Sequence, residues 1–155
     1  MTEILIRPAV AKDAKALGAL GRATFIDTFV TGFRIPYPKA DLEGFLNASF
    51  DLEPIRKKLA EAQGAWWVAE RDGQLAGFAN AGPNGLPHED AQPGDMELRR
   101  LYIARDAQGL GLGTRLLTQA LDWMQARTQD ALWIGVWSGN EKAIKLYGAY
   151  GFEKA

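Results

Sequence analysis

The chain predicts an α/β fold, with a mixed central β-sheet carrying helices on both faces. Three observations carry that prediction. A strand-like apolar run, Met96–Ile103, enters a glycine-dense turn, then a helical pattern, then a second strand-like run at 132–137. Such a unit is a right-handed crossover with parallel strands. Just upstream, two short apolar runs flank Arg71-Asp72-Gly73-Gln74, and Asp-Gly between such runs signals an antiparallel hairpin. Near the N-terminus, Leu17, Leu20, Gly21, Thr24, Phe25 and Thr28 recur at three- and four-residue steps, which is one face of a helix.

The elements follow in order. Residues 4–7 read as a short strand closed by Pro8, and 13–30 as a helix. Residues 41–50 and 54–63 read as two more helices, with Pro54 suited to a first turn. Strands at 65–70 and 75–80 form the hairpin, and 81–94, with Pro83, Pro87 and Pro93 and three glycines, reads as a loop. Residues 111–127 form a helix whose buried stripe is Leu116, Leu117, Ala120, Leu121 and Met124. No repeat or linker divides the chain, so one domain over 1–155 is expected.

Composition excludes several classes of function. The chain has 155 residues, 47% apolar and 24% charged, as an ordinary globule does. A net charge of −1 gives no electrostatic case for nucleic acid or an anionic membrane. There is no Cys, which removes a disulfide framework, a Cys-ligated metal and a Cys nucleophile. No metal is expected. Residues 1–8 lack a signal-peptide pattern, and no apolar run approaches the length of a membrane span. The expectation is a cytoplasmic enzyme.

The glycine-dense turn, Gln108-Gly109-Leu110-Gly111-Leu112-Gly113-Thr114, opens a helix. The first turn of a helix offers unpaired N–H groups and the positive end of the dipole, and glycines let an anion approach them. The NTPase P-loop needs Lys before Ser or Thr after its last Gly, but Thr114-Arg115 follows Gly113. The dinucleotide fingerprint needs a third Gly where Thr114 or Leu116 stands. What remains is Gln108-x-x-Gly111-x-Gly113, which resembles the acetyl-CoA pyrophosphate loop of the GNAT superfamily of N-acetyltransferases. Downstream, Asn140, Ala143, Tyr147, Gly151 and Phe152 resemble the family's second signature, in the right order and at its spacing.

The resemblance implies the GNAT fold, with a splayed pair of parallel strands holding acetyl-CoA as co-substrate. It implies that the backbone of Leu101, Tyr102 and Ile103 runs along pantetheine, and that Gln108, Gly109, Leu110, Gly111, Leu112, Gly113 and Thr114 hold the pyrophosphate. Leu101 and Ile103 are equally core residues. Tyr147 stands at the family's general-acid position; a phenol there can donate a proton or a hydrogen bond to the departing thiolate. A half-buried aromatic on an amphipathic helix is the plainer reading. Asn140 either caps its helix or contacts the cofactor. Glu97, six residues before Ile103, matches a general base used by some relatives, while others use water chains. His88 reads as an incidental surface residue. Without a Cys nucleophile, direct attack in a ternary complex is the expected mechanism.

Ala23-Thr24-Phe25-Ile26-Asp27-Thr28-Phe29, Trp133-Ile134-Gly135-Val136-Trp137 and the Asn140 segment resemble the PaiA-like spermidine/spermine acetyltransferase branch. That implies a polyamine or small alkylamine acceptor. Glu89, Asp90, Asp95 and Glu97 would give a cation an acidic mouth. A protein or peptide acetyltransferase and a non-catalytic CoA-binding module are the alternatives. The chain ends three residues after Phe152, whereas relatives continue with a strand hairpin. The expectation is a domain lacking that hairpin, with an open sheet edge that could pair with another copy as a homodimer.

Overall fold

The computed structural model describes residues 3–136 and 138–154. Among them the sheet has five strands in the order β1-β2-β3-β4-β5: β1 Ile4–Pro8, β2 Ala65–Arg71, β3 Gln74–Pro83, β4 Met96–Ile103 and β5 Leu132–Ile134. The first three junctions are antiparallel and β4–β5 is parallel, giving the mixed sheet the sequence predicts. The hairpin turn carries Asp72 at φ 53° and Gly73 at φ 84°. Two successive positive φ values match the twist of the strands they join.

Helices cover both faces. The α1 helix (Ala14–Phe25), α2 (Lys39–Phe50) and α3 (Leu52–Leu59) lie on one side. There Leu17, Phe25, Leu46, Phe50 and Ile55 pack on Trp66, Val68 and Phe78 of the sheet. The α4 helix (Leu112–Arg127) and α5 (Glu141–Ala149) lie on the other. Leu112, Leu116, Leu117, Ala120, Leu121 and Met124 pack on Trp67, Ala69, Ala79, Met96 and Leu98, and Leu146 and Tyr147 join from α5. Strand alternation sends Trp66 and Val68 to one core and Trp67 and Ala69 to the other. None of the described helices is long and apolar enough to cross a membrane.

Four boundaries differ from the sequence reading. The helix expected over 13–30 becomes α1 and then a π-turn, Ile26–Gly32, in which Phe33 N–H donates to the Thr28 carbonyl at 2.9 Å. The widened turn accompanies the tilted ring contacts of Phe25 with Phe29 and of Phe29 with Phe33. The helix expected over 54–63 runs Leu52–Leu59 and holds Pro54 in its first turn. Past its end, the Glu61 carboxylate meets Arg99 at 3.2 Å. Residues 81–83, expected as loop, extend β3 because they pair with Leu98, Glu97 and Met96. The strand expected over 132–137 pairs only through Ile134. Gly135 and Val136 diverge from β4, and Trp137 lies outside the described residues.

Candidate functional site

The early end of β5 opens a gap in the sheet. Met96, Glu97 and Leu98 pair with Leu132, Trp133 and Ile134, and there the parallel ladder stops. β4 continues for residues 99–103, bonded on its other side to β3, with Leu101, Tyr102 and Ile103 opposite Ala79, Phe78 and Gly77. Along that stretch the β4 backbone facing β5 has no strand partner among the described residues. The register between β3 and β4 shifts at Asn80/Ala81, leaving Arg99 bulged. Leu98 and Leu101 therefore both face α4, while Arg100 and Tyr102 face α1–α3.

The open stretch of β4 leads through a 3-10 turn, Arg105–Ala107, into the glycine loop. Gly109 has φ +85° and Gly111 φ +77°, conformations that L side chains rarely adopt. Gly111 is the N-cap of α4. The first ladder bond runs from Arg115 N–H to the Gly111 carbonyl at 3.2 Å. The N–H groups of Leu112, Gly113 and Thr114 come before it and belong to the unpaired first turn. Gly113 differs from the other two: a Cβ there would meet only Ile103 Cγ1 at 3.9 Å, an ordinary contact. The Gln108 side chain turns back, Nε2 donating a long 3.5 Å bond to the Ile103 carbonyl. It ties the loop to the strand end, while Leu110 stands exposed at the tip.

Across the gap, Asn140 caps α5. Its Oδ1 accepts from Ala143 N–H at 3.1 Å, the helix-capping alternative of the two readings. Tyr147 is half-buried, with its ring 6.3 Å from Phe152. Burial, with a smaller contribution from Tyr102, pushes its phenol up to about 12. Tyr150 is exposed at the helix end, so Tyr147 is the tyrosine that α5 turns inward. Tyr147 borders a cleft of about 820 Å³ that follows the outer side of β5 and is lined also by Trp133, Val136, Ile144 and Phe152.

Glu97 is buried rather than solvated, and its Oε1 accepts from Gly85 N–H at 3.0 Å. Asp95 does not stand at a mouth. It is buried and accepts from Gln92 N–H (2.8 Å), Trp133 Nε1 (2.7 Å) and Ala131 N–H (3.1 Å). The Gln92 and Trp133 bonds hold its carboxyl below the usual range. It lashes the start of β4 to β5, which leaves Glu89 and Asp90 as the exposed acids of that loop. His88 Nδ1 accepts from Asp90 N–H at 3.0 Å, and its ring lies 4.9 Å from Trp133. Among the described residues no group of three or more His, Asp or Glu could hold a metal ion.

The sequence reading missed Arg100. It lies half-buried on the α1–α3 face, with its guanidinium carbon 4.7 Å from the Phe50 ring centre and 5.9 Å from that of Phe45. The available signal was two consecutive arginines in a strand with sheet partners on both sides, where burying a charge is costly unless something pairs it.

The acetyltransferase (GNAT) family model matches residues 25–152. The chain is 27% identical to an uncharacterized N-acetyltransferase in the pepI 3' region of Lactobacillus delbrueckii subsp. lactis, covering 99% of this chain and 87% of that protein. It is 30% identical to phosphinothricin N-acetyltransferase of Streptomyces viridochromogenes, over 95% of this chain and 73% of that one. The fold is similar to that of the PaiA N-acetyltransferase from Thermoplasma acidophilum, solved with coenzyme A. The TM-score is 0.80 at 19% identity, over 99% of this chain and 91% of the other.

Proposed function

The chain belongs to the GNAT acetyltransferase family, and from that premise we propose that it transfers an acetyl group from acetyl-CoA to a small primary amine by direct attack in a ternary complex. One observation carries the assignment of the site: β4–β5 pairing ends at Leu98 and Ile134, while β4 runs on to Ile103 and into the glycine loop. Free strand backbone suits the amides of pantetheine, and the unpaired first turn of α4 suits a pyrophosphate. Residues 101–103 and 108–114 thus form one continuous track. Asn140 acts on it through α5, which it caps.

In the reaction, the amine nitrogen attacks the acetyl carbonyl carbon, the C–S bond of the tetrahedral intermediate breaks, and the sulfur leaves as thiolate. Tyr147 is our candidate to donate to that sulfur. Glu97 is our candidate to take the proton from the attacking nitrogen, directly or through water. Within the class of small amines, the resemblance favours a polyamine or alkylamine. The electrostatic support for a polyamine is thinner than the sequence suggests, because Asp95 is occupied within the fold.

The test is calorimetric titration of acetyl-CoA with wild type and Gly113→Val, followed by initial rates with spermidine, butylamine and a lysine-containing peptide. We expect wild type to bind acetyl-CoA and acetylate a small amine. The Val side chain should reduce affinity at least about tenfold by standing where the phosphates approach. Unchanged affinity in the variant would move the pyrophosphate elsewhere. Turnover of the peptide alone would favour the peptide-acetyltransferase alternative, and binding without any turnover the CoA-binding module.

A further inference from the structure

Arg100 Nη1 is sealed from solvent and has no hydrogen-bond partner among the described residues. No described carboxylate forms an ion pair with this side chain. Glu61, the nearest acid of α3's end, is taken by Arg99 at 3.2 Å, and Glu97 by Gly85 N–H. A second cation, Lys58 on α3, is half-buried in the same neighbourhood. Burial lowers its pKa first, and repulsion from Arg100 and Arg99 lowers it further. Three cations therefore share one acid. A buried guanidinium N–H without a partner is costly; the rings of Phe50 and Phe45 offset part of that cost but leave Nη1 without an acceptor.

The position gives this vacancy a meaning. Arg100 lies within 99–103, the part of β4 whose β5-facing backbone is open, and its side chain projects to the α1–α3 face. Tyr102, two residues on, projects to the same face and packs 6.4 Å from Phe50. Arg100 thus stands on the strand segment that carries the proposed pantetheine track, with Phe45, an exposed ring of α2, against its guanidinium.

Building on the acetyl-transfer reading above, we propose that Arg100 is the anchor for a carboxylate on the acceptor, so that the amine acetylated here belongs to the amino-acid class. Guanidinium and carboxylate match as a bidentate pair, and Lys58 adds charge of the same sign. A polyamine has no anion to offer and would bring further positive charge to Lys58, Arg99 and Arg100.

The experiment compares ligands that differ by the acid group alone: leucine with 3-methylbutylamine, and 4-aminobutanoate with butylamine. A phosphonate, 3-aminopropylphosphonate, is added as a third arm. Each is titrated calorimetrically into the full chain with bound CoA, using wild type, Arg100→Met and Arg100→Lys. At least one carboxylated ligand should bind wild type about 10- to 100-fold more tightly than its amine. Arg100→Met should abolish that preference, and Arg100→Lys should retain part of it. Equal binding within both wild-type pairs, or a preference that survives Arg100→Met, would overturn the anchor and leave Arg100 as a stacked packing residue. A phosphonate that outcompetes both carboxylates would overturn the carboxylate assignment in favour of a phosphoryl anion. Should Arg100→Met fail to fold, the wild-type pairs and Arg100→Lys still decide the matter. Acetyl-CoA titration of the same samples separates the two readings. If acetyl-CoA binds normally, a missing preference rejects the anchor alone; if it does not bind, the acetyl-transfer reading fails.

Discussion

A phenol can assist a departing thiolate only if it still holds its proton when the C–S bond breaks. Tyr147, pushed up to about 12 by burial, meets that condition throughout the physiological range. A thiol titrates near 8.5, so complete transfer from such a phenol to sulfur is unfavourable. The hydroxyl serves best as a hydrogen-bond donor in the transition state. Tyr147→Phe should therefore lower kcat by about 10²-fold, near the lower end for a lost general acid, and leave acetyl-CoA affinity within about threefold. Because protonated phenol is the active form and its pKa is raised, the wild-type rate should show no Tyr147-dependent fall below about pH 10. Stopped-flow turnover against pH checks both points, and a kcat close to wild type would return Tyr147 to packing. Glu97→Gln keeps an acceptor for Gly85 N–H, so the fold should hold while the base is lost. An alkylammonium titrates near 10.4, so the deficit should be largest at neutral pH and shrink as the assay becomes basic. A constant deficit would assign Glu97 to positioning. At this scale the sequence was legible where spacing decided: Tyr147 was distinguished from Tyr150 by distance to Gly151-Phe152, and α5 does turn Tyr147 inward. It was not legible at Asp95 or Arg100, because Ala131 and Trp133, which join the local Gln92 at one, and Phe45 and Phe50 at the other come from distant parts of the chain.

Elements held to their pattern wherever a local signal marked the end. Asp72-Gly73 marked the hairpin, and the predicted span of β4 is the observed one. The misplaced ends depend on tertiary neighbours: β3 lengthens because β4 offers it partners, and β5 shortens because its path leaves β4. The junction of β1, the 3-10 turn Ala11–Asp13 and β2 carries a testable coupling. Arg7 bonds Asp13 with Nη1 and Nη2 at 2.8 and 2.9 Å, and Glu70 at 2.9 Å. Asp13 also accepts from Val10 N–H at 2.7 Å. Chiefly through Arg7, the Asp13 carboxyl is held below its ordinary value, and Arg7 is raised in turn. The sign follows. A folded pKa below the unfolded value of about 3.9 gives stability that is complete above 3.9 and is lost as pH falls through the folded value. Asp13→Asn should cost about 1–2 kcal/mol at pH 7, given that both side chains keep some solvent contact. The gap between variant and wild type should close in strongly acid solution. Denaturant melts at pH 7 and pH 3 measure it, and a gap independent of pH would assign the loss to the Val10 turn rather than to the ion pair.

At the scale of the whole molecule, the sheet joins two cores of different character. Under α1–α3 a chain of aromatic contacts runs from Trp66 and Phe78 through Tyr102 to Phe50; under α4 the packing is mostly aliphatic, with Trp67 set edge-on to Trp123. β4 is the shared wall, and beyond Leu98 only β3 holds it as a strand partner. Backbone amides there and at the start of α4 should exchange with solvent faster than those in the paired halves of β2 and β3, because fewer hydrogen bonds must open. A ligand that occupies the gap and the glycine loop adds bonds at those places and stabilises the folded state by mass action, about 2.7 kcal/mol at a hundredfold excess over Kd. For a chain of 155 residues that corresponds to a rise in Tm of roughly 5–11 °C. Hydrogen-exchange mass spectrometry with and without acetyl-CoA should therefore show new protection concentrated at residues 99–103 and 108–114. Residues 65–75 should change little beyond the global gain. Protection centred on the cleft outside β5, with 99–103 unchanged, would mean that the cofactor takes a different route through the fold and that the free stretch of β4 serves another purpose.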